Sequence, residues 1–269
     1  MRELFLTAQE IIYLCALSGA KEVPGVEDVF MSVPAEKLVV EATRIKDSLI
    51  EKGCLEMDFD GNCSSTKDAD TLVDVITRSD KRIAFFSEDG EKRKYGMLYV
   101  KKDMVCLSER SDDPSYRIKY ISPNDIFNCL MSAFQCGKTE VSTNDTFFVN
   151  TKILESAKTQ YANKKTTYSK KVLIEAGIDE NTAELLLLSY GGKASLFSVK
   201  LDNLAVGDVY TDGLFFMTDG ETAVDISVGR DGEEDILRIR KTNTESEKEL
   251  LKSLLGRYQL FFSEVGENE

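Results

Sequence analysis

Leu49-Ile50-Glu51-Lys52-Gly53 and Leu173-Ile174-Glu175-Ala176-Gly177 are two versions of one short pattern, and their reading decides the fold. Each ends an apolar run at a glycine, the residue that best tolerates the left-handed turn closing a helix. The helix before Gly53 starts near Pro34, which suits a first helical turn. It carries Leu38, Val39, Ala42, Ile45, Leu49 and Ile50 on one broad face. An earlier helix opens at Thr7 with Glu10 at the capping-box spacing and runs through Ile11, Ile12, Leu14, Cys15 and Leu17 to Gly19. Residues 20–33, with Pro24 and Gly25, connect the two. After Gly53 come a short hairpin turning at Asp60-Gly61-Asn62 and a short helix over 69–78. Strands are expected at 82–87, 95–100, 104–108 and 116–121, separated by Asp89-Gly90, Lys101-Lys102-Asp103 and Asp112-Asp113-Pro114. A helix capped by Ser122-Pro123 then presents Ile126, Phe127, Leu130, Met131 and Phe134.

Around Gly177 the order recurs. A helix through 185–188 leads to a strand at 193–198, and Gly213-Leu214-Phe215-Phe216 stands where Gly96-Met97-Leu98-Tyr99 stood. Strands at 222–228 and 236–240 follow, broken by Asp219-Gly220 and Asp231-Gly232. The closing helix opens with Thr244 and Glu247, again at capping-box spacing. Its apolar positions 250, 251, 254, 255 and 258 lie 124 beyond 126, 127, 130, 131 and 134; elsewhere the offset varies from about 112 to 124, as turn insertions and deletions cause. The expected fold is α+β, with pseudo-duplicated halves around a shared central sheet. Each half runs helices, a largely antiparallel sheet, then a closing helix. The expected domains are 1–140, with a winged-helix-like start, and 141–269, a diverged copy of 40–135. A period this long excludes a solenoid.

Composition narrows the chemistry. The 269 residues hold 34 Lys+Arg against 47 Asp+Glu, a net charge of −13, with no histidine and no tryptophan. Without histidine there is no Ser-His-Asp or Cys-His arrangement, no His-containing zinc site and no usual proton shuttle near neutral pH. The acidic balance disfavours nucleic acid and anionic membrane surfaces. No apolar run approaches the roughly 20 residues that cross a bilayer, and MRELFLTAQEII has no signal-peptide core, so the chain reads as cytoplasmic. Cys15, Cys54, Cys63, Cys106, Cys129 and Cys136 show no CxxC spacing and read as reduced, mostly core thiols; only Cys54 and Cys63 flank a hairpin closely enough to approach each other.

The local motifs carry little. Asp58-Phe59-Asp60-Gly61-Asn62 has oxygen ligands at alternate positions, but its glycine stands fourth and Ala69 occupies the twelfth place, so a hairpin turn fits better than a calcium loop. Gly191-Gly192-Lys193 precedes a strand and reads as a helix stop. Gly137-Lys138-Thr139 has Ser132 where a phosphate loop needs glycine. The carboxylate pairs Asp112-Asp113 and Glu233-Glu234-Asp235 fall in turns, where solvent leaves them ordinary. A helix, a second helix and a hairpin outline a winged helix, yet residues 1–70 hold 7 Lys/Arg against 14 Asp/Glu, which repels phosphates. Against the overall charge, residues 152–171 carry six lysines (Lys152, Lys158, Lys164, Lys165, Lys170, Lys171) and one acid, Glu155: a solvated surface or a docking patch for an acidic partner.

Leu6-Thr7-Ala8-Gln9-Glu10, the Lys52-Gly53-Cys54-Leu55 ending and the duplicated order of strands and closing helix together resemble the EspG family, cytosolic chaperones of type VII (ESX) secretion systems. The resemblance implies quasi-two-fold halves around a central sheet and a protein that holds helical-hairpin secretion substrates soluble before export. It implies no catalytic residue, metal or cofactor. The expected partner is a helical secretion substrate, hairpin or heterodimer, with no nucleic acid and no membrane insertion. The expected contact residues are Leu196, Phe215 and Met217 on second-half strands, with Lys164 and Lys165 at the rim. The alternative is a winged-helix transcriptional regulator with a ligand-sensing second half.

Overall fold

The computed structural model describes residues 3–27, 29–30, 33–110, 115–134, 145–204, 210–231 and 234–260. The expected turn at Asp112-Asp113-Pro114, the Gly137-Lys138-Thr139 motif, Cys136, Gly232 and Glu233 lie outside the described residues. The protein is α+β, built on an antiparallel sheet with strand order β1-β7-β6-β5-β4-β9-β10-β11-β12-β8. In the first half these are β1 (Leu4–Thr7), α1 (Ala8–Leu17), α2 (Ala35–Glu51), β2 (Leu55–Met57), β3 (Cys63–Ser65), α3 (Lys67–Thr77), β4 (Lys81–Asp89), β5 (Lys92–Lys101), β6 (Met104–Arg110), β7 (Ser115–Ile121) and α4 (Ile126–Ala133). The second half runs β8 (Thr146–Asn150), α5 (Thr151–Ala162), α6 (Thr166–Glu175), α7 (Glu180–Tyr190), β9 (Ser195–Asn203), β10 (Tyr210–Thr218), β11 (Ala223–Asp231), β12 (Glu234–Lys241) and α8 (Thr244–Arg257). Strand order within each half is the same: the strand before the helices lies beside the last strand, and the other strands follow as hairpins. The halves are thus pseudo-duplicated. By compactness the chain forms two interleaved units: Met1–Ala84 with Lys94–Asp125 and Leu201–Thr211, and Phe85–Arg93 with Ile126–Lys200 and Asp212–Glu269.

In the first unit, Thr7 and Glu10 form the expected capping box: Glu10 N–H donates to Thr7 Oγ1 at 3.2 Å, and Thr7 N–H donates to Glu10 Oε2 at 2.7 Å. The residues just before Thr7 are an edge strand, not a lead-in coil, with Leu6 buried opposite Tyr116. Gly53 closes α2 at φ +70°; its N–H reaches Ile50 O at 2.9 Å, and Cys54 N–H reaches Leu49 O at 2.8 Å. The core of this unit gathers Leu6, Ile11, Leu14, Ile45, Leu49, Leu72, Ile76, Tyr99 and Ile118. The broad apolar face expected for α2 is only half used. Ile45 and Leu49 are buried, whereas Val39 and Val40 are 74% and 69% exposed. Leu38, Val39 and Val40 on the first turns of α2 are exposed among the described residues.

In the second unit, Gly177 repeats the closure at φ +92°, with Gly177 N–H to Ile174 O at 2.9 Å and Ile178 N–H to Leu173 O at 3.2 Å. The N-cap of α7 is Asp179, whose carboxylate accepts from the N–H groups of Asn181 and Thr182 and from Thr182 Oγ1. Gly191 and Gly192 stop α7, as expected. For α8 the cap is one residue earlier than expected. Asn243 accepts from Ser246 N–H at 2.9 Å, so Thr244 is the first helical residue and Glu247 is buried inside the helix. Phe134, Phe197 and Phe216 pack ring to ring at 4.7, 5.1 and 6.3 Å between centroids.

Candidate partner-binding surface

The register of the second-half sheet sorts its side chains onto two faces, because directly paired residues share a face and neighbours along a strand alternate. Phe215 pairs with Ile226, which pairs with Ile239, which pairs with Phe147; Met217 pairs with Val224. This face packs into the core with Leu173, Leu185, Leu186 and Ala157 from α5, α6 and α7. Met217 is only 6% exposed there, and Leu196 and Phe215 are partly buried against the same core. These three expected contact residues therefore underlie the helices of the unit. Lys164 and Lys165 are exposed on the short turn between α5 and α6 and do not join them.

The opposite face carries Phe216, Asp225, Ser227, Arg238, Arg240 and Phe148. Arg240 Nε and Nη2 donate to the two oxygens of buried Asp225 at 2.9 and 3.0 Å, a bidentate pair that fixes the guanidinium plane. Helix α8 borders this face, and between them lies a cavity of about 250 Å³ lined by Leu214, Ser227, Arg238, Leu250 and the ion-paired Arg257 and Asp212. Beyond the cavity Phe148, 63% exposed, stands opposite Arg238. Arg238 is exposed and makes no ion pair among the described residues. An exposed aromatic ring, an open guanidinium and a partly apolar hollow can anchor and orient a partner. Phe148 was absent from the expected contacts; its signal is the run Phe147-Phe148-Val149, whose alternation about a buried Val149 marks strand β8.

Three of the described cysteines are buried. Burial pushes the Cys15 and Cys106 thiols up to about 12 and raises Cys54 as well, so none is a ready nucleophile. In the hairpin Met57, not Cys54, faces Cys63, and both thiols are free. Asp58 lies below the usual carboxylate range because Asn62 and the turn's own N–H groups donate to it; its oxygens are spent on the turn. Among the described residues no group of three or more acidic or cysteine side chains is placed to hold a metal ion, and no helix is long and apolar enough to cross a membrane.

One solved structure matches over nearly the whole chain: the type VII secretion system chaperone EspG5 of Mycobacterium tuberculosis, in complex with a PE25–PPE41 dimer, at TM-score 0.62 and 12% identity over 94% of this chain and 96% of that one. The fold is EspG-like. A putative adenylate cyclase from Bacillus halodurans aligns at TM-score 0.16 and 9% identity over 71% of this chain and 79% of that one. No protein-family model and no curated protein matches the sequence. The winged-helix alternative gains no support from the EspG-like fold, and Glu36, Asp47 and Glu51 are exposed along α2.

Proposed function

We propose that this EspG-like protein is a non-enzymatic, cytoplasmic chaperone or accessory factor of a type VII-like secretion system, one that holds a helical substrate protein in solution before export. The observation that carries the reading is the match to EspG5 over almost the full length of both chains. The missing histidine and the raised thiols agree with a protein that binds without reacting. The docking face in this reading is the sheet surface beside α8. Phe148 supplies the apolar anchor, and Arg238 orients a carboxylate on the partner helix, since arginine and aromatic residues dominate binding energy at interfaces.

The test is co-expression with small helical proteins encoded beside its gene, followed by co-purification. A 1:1 or 1:2 complex that survives in the wild type and weakens in Phe148→Ser or Arg238→Glu supports both the role and the face. A complex indifferent to both substitutions moves the face elsewhere. No complex with any neighbour, from protein that is folded, removes the role.

A further inference from the structure

Setting α2–α3 against α6–α7 shows an addition. Gly53 and Cys54 correspond to Gly177 and Ile178, an offset of 124. At the next helix start the offset falls to 113: Thr66 caps α3 by accepting from Ala69 N–H, as Asp179 caps α7 by accepting from Thr182 N–H. Residues 55–65, the β2–β3 hairpin, thus have no counterpart in the second half. The core takes only Leu55 from it. The remainder is a stiff arm, because Asp58 accepts from the N–H groups of Asp60 and Asn62 and from Asn62 Nδ2, and Gly61 turns the chain at φ +83°. Held at its tip, Phe59 is fully exposed and Met57 largely so, among Glu56, Asp58 and Asp60, with no Lys or Arg from 53 to 66.

The second half carries a surface of opposite sign. Residues 156–174 contain five lysines and no acid. Lys170 pairs with Glu180 and Glu184, and Lys171 with Glu175, while Lys158, Lys164 and Lys165 make no ion pair among the described residues. Lys164 adopts φ +60° at the end of α5, the conformation that Gly53, Gly177 and Gly192 take at the ends of α2, α6 and α7 and that a Cβ disfavours. Its N–H reaches Tyr161 O and that of Lys165 reaches Gln160 O, so the two ammonium stems leave a fixed turn. Tyr168, 55% exposed on the first turn of α6, supplies an aromatic surface close by in sequence.

We propose that the hairpin tip of one copy docks on the α5–α6 turn of a second copy, with Phe59 packed on Tyr168 and Glu56 and Asp60 facing Lys158, Lys164 and Lys165. Charge complementarity selects this occupant. A chain of net −13 repels its copies over much of its surface, and the lysine-rich stretch at 156–174, which holds no acid, is where an acidic, aromatic knob is steered. The contact joins unlike surfaces, so it links copies head to tail and leaves a free hairpin at one end and a free turn at the other.

Sedimentation velocity of the full chain over a wide range of concentrations tests this. Wild type forms larger species as concentration rises. Phe59→Ser, and separately Lys164→Glu with Lys165→Glu, weaken association by about tenfold or more while circular dichroism shows both folded. An equimolar mixture of the two variants restores a dimer and nothing larger, because one brings an intact turn and the other an intact hairpin. Wild type that stays monomeric throughout overturns the proposal. So does association that survives in either variant, or a mixture that remains monomeric.

Discussion

Lys52 Nζ donates to both carboxylate oxygens of Glu10, at 2.7 Å each, and so ties the end of α2 to the start of α1. Glu10 is 3% exposed and also accepts from Ser48 Oγ at 2.6 Å while closing the capping box with Thr7. Burial alone would raise its pKa, but the Lys52, Ser48 and Thr7 donors together outweigh that and hold the carboxyl below its usual value.

A carboxylate whose folded pKa is depressed contributes stability above its unfolded pKa and loses it as pH falls through the folded one. Urea unfolding from neutral pH downward should therefore show wild type losing an increment below about pH 4.5 that Glu10→Gln never had. At neutral pH Glu10→Gln should cost about 2 kcal/mol, the scale of hydrogen bonds to charged groups, tempered by the partial exposure of Lys52. Equal pH profiles for the two proteins would refute the assignment.

The two helix closures should respond alike. Gly53→Ala and Gly177→Ala each put a Cβ on a left-handed residue with open space around it, so the cost is conformational, about 1 kcal/mol in each case. Equilibrium denaturation measures both. A strongly unequal pair would mean that the shared pattern does not serve the same turn.

The buried Asp225–Arg240 pair should show the asymmetry of buried ion pairs. Asp225→Ala, which strands a partly buried guanidinium, should cost about 3 kcal/mol, whereas Asp225→Leu combined with Arg240→Met should recover most of that. Denaturant midpoints across the double-mutant cycle decide it.

Among the described cysteines, thiol labelling of folded protein at pH 8 should reach Cys63 and Cys129 before Cys15, Cys54 and Cys106, because the latter are buried and their thiolates suppressed. Peptide mapping after brief alkylation reads the order. Fast modification of Cys106 would show that the first-unit core opens readily.

Local chemistry made much of this fold legible. The Thr7–Glu10 box, the glycine closures at Gly53 and Gly177 and the alternating strands are settled by residues within a few positions of one another. That range is what sequence pattern reports. The edge strands β1 and β8 were missed, because each is short and has its hydrogen-bond partner far along the chain, at β7 and β12. The cap of α8 was misplaced by one residue because Asn243 and Thr244 both suit that role. The varying offset between the halves has a concrete cause as well: the hairpin at 55–65 lowers it from 124 to 113.

The candidate contacts divide along the same line. An apolar residue on a strand is core or anchor according to which face is covered, and periodicity is identical in the two cases. Met217 and Phe148 both read as strand hydrophobics, yet Met217 lies beneath α5–α7 and Phe148 faces solvent. The sequence by itself determined most of the helices and the central strands, the duplicated order and the absence of histidine, since these rest on near neighbours and on composition. Tertiary structure alone decided which sheet face the helices cover, that Arg238 makes no ion pair among the described residues, and which apolar residues of α2 stay exposed. Each of these depends on packing between segments distant in the chain, whose geometry no local pattern encodes.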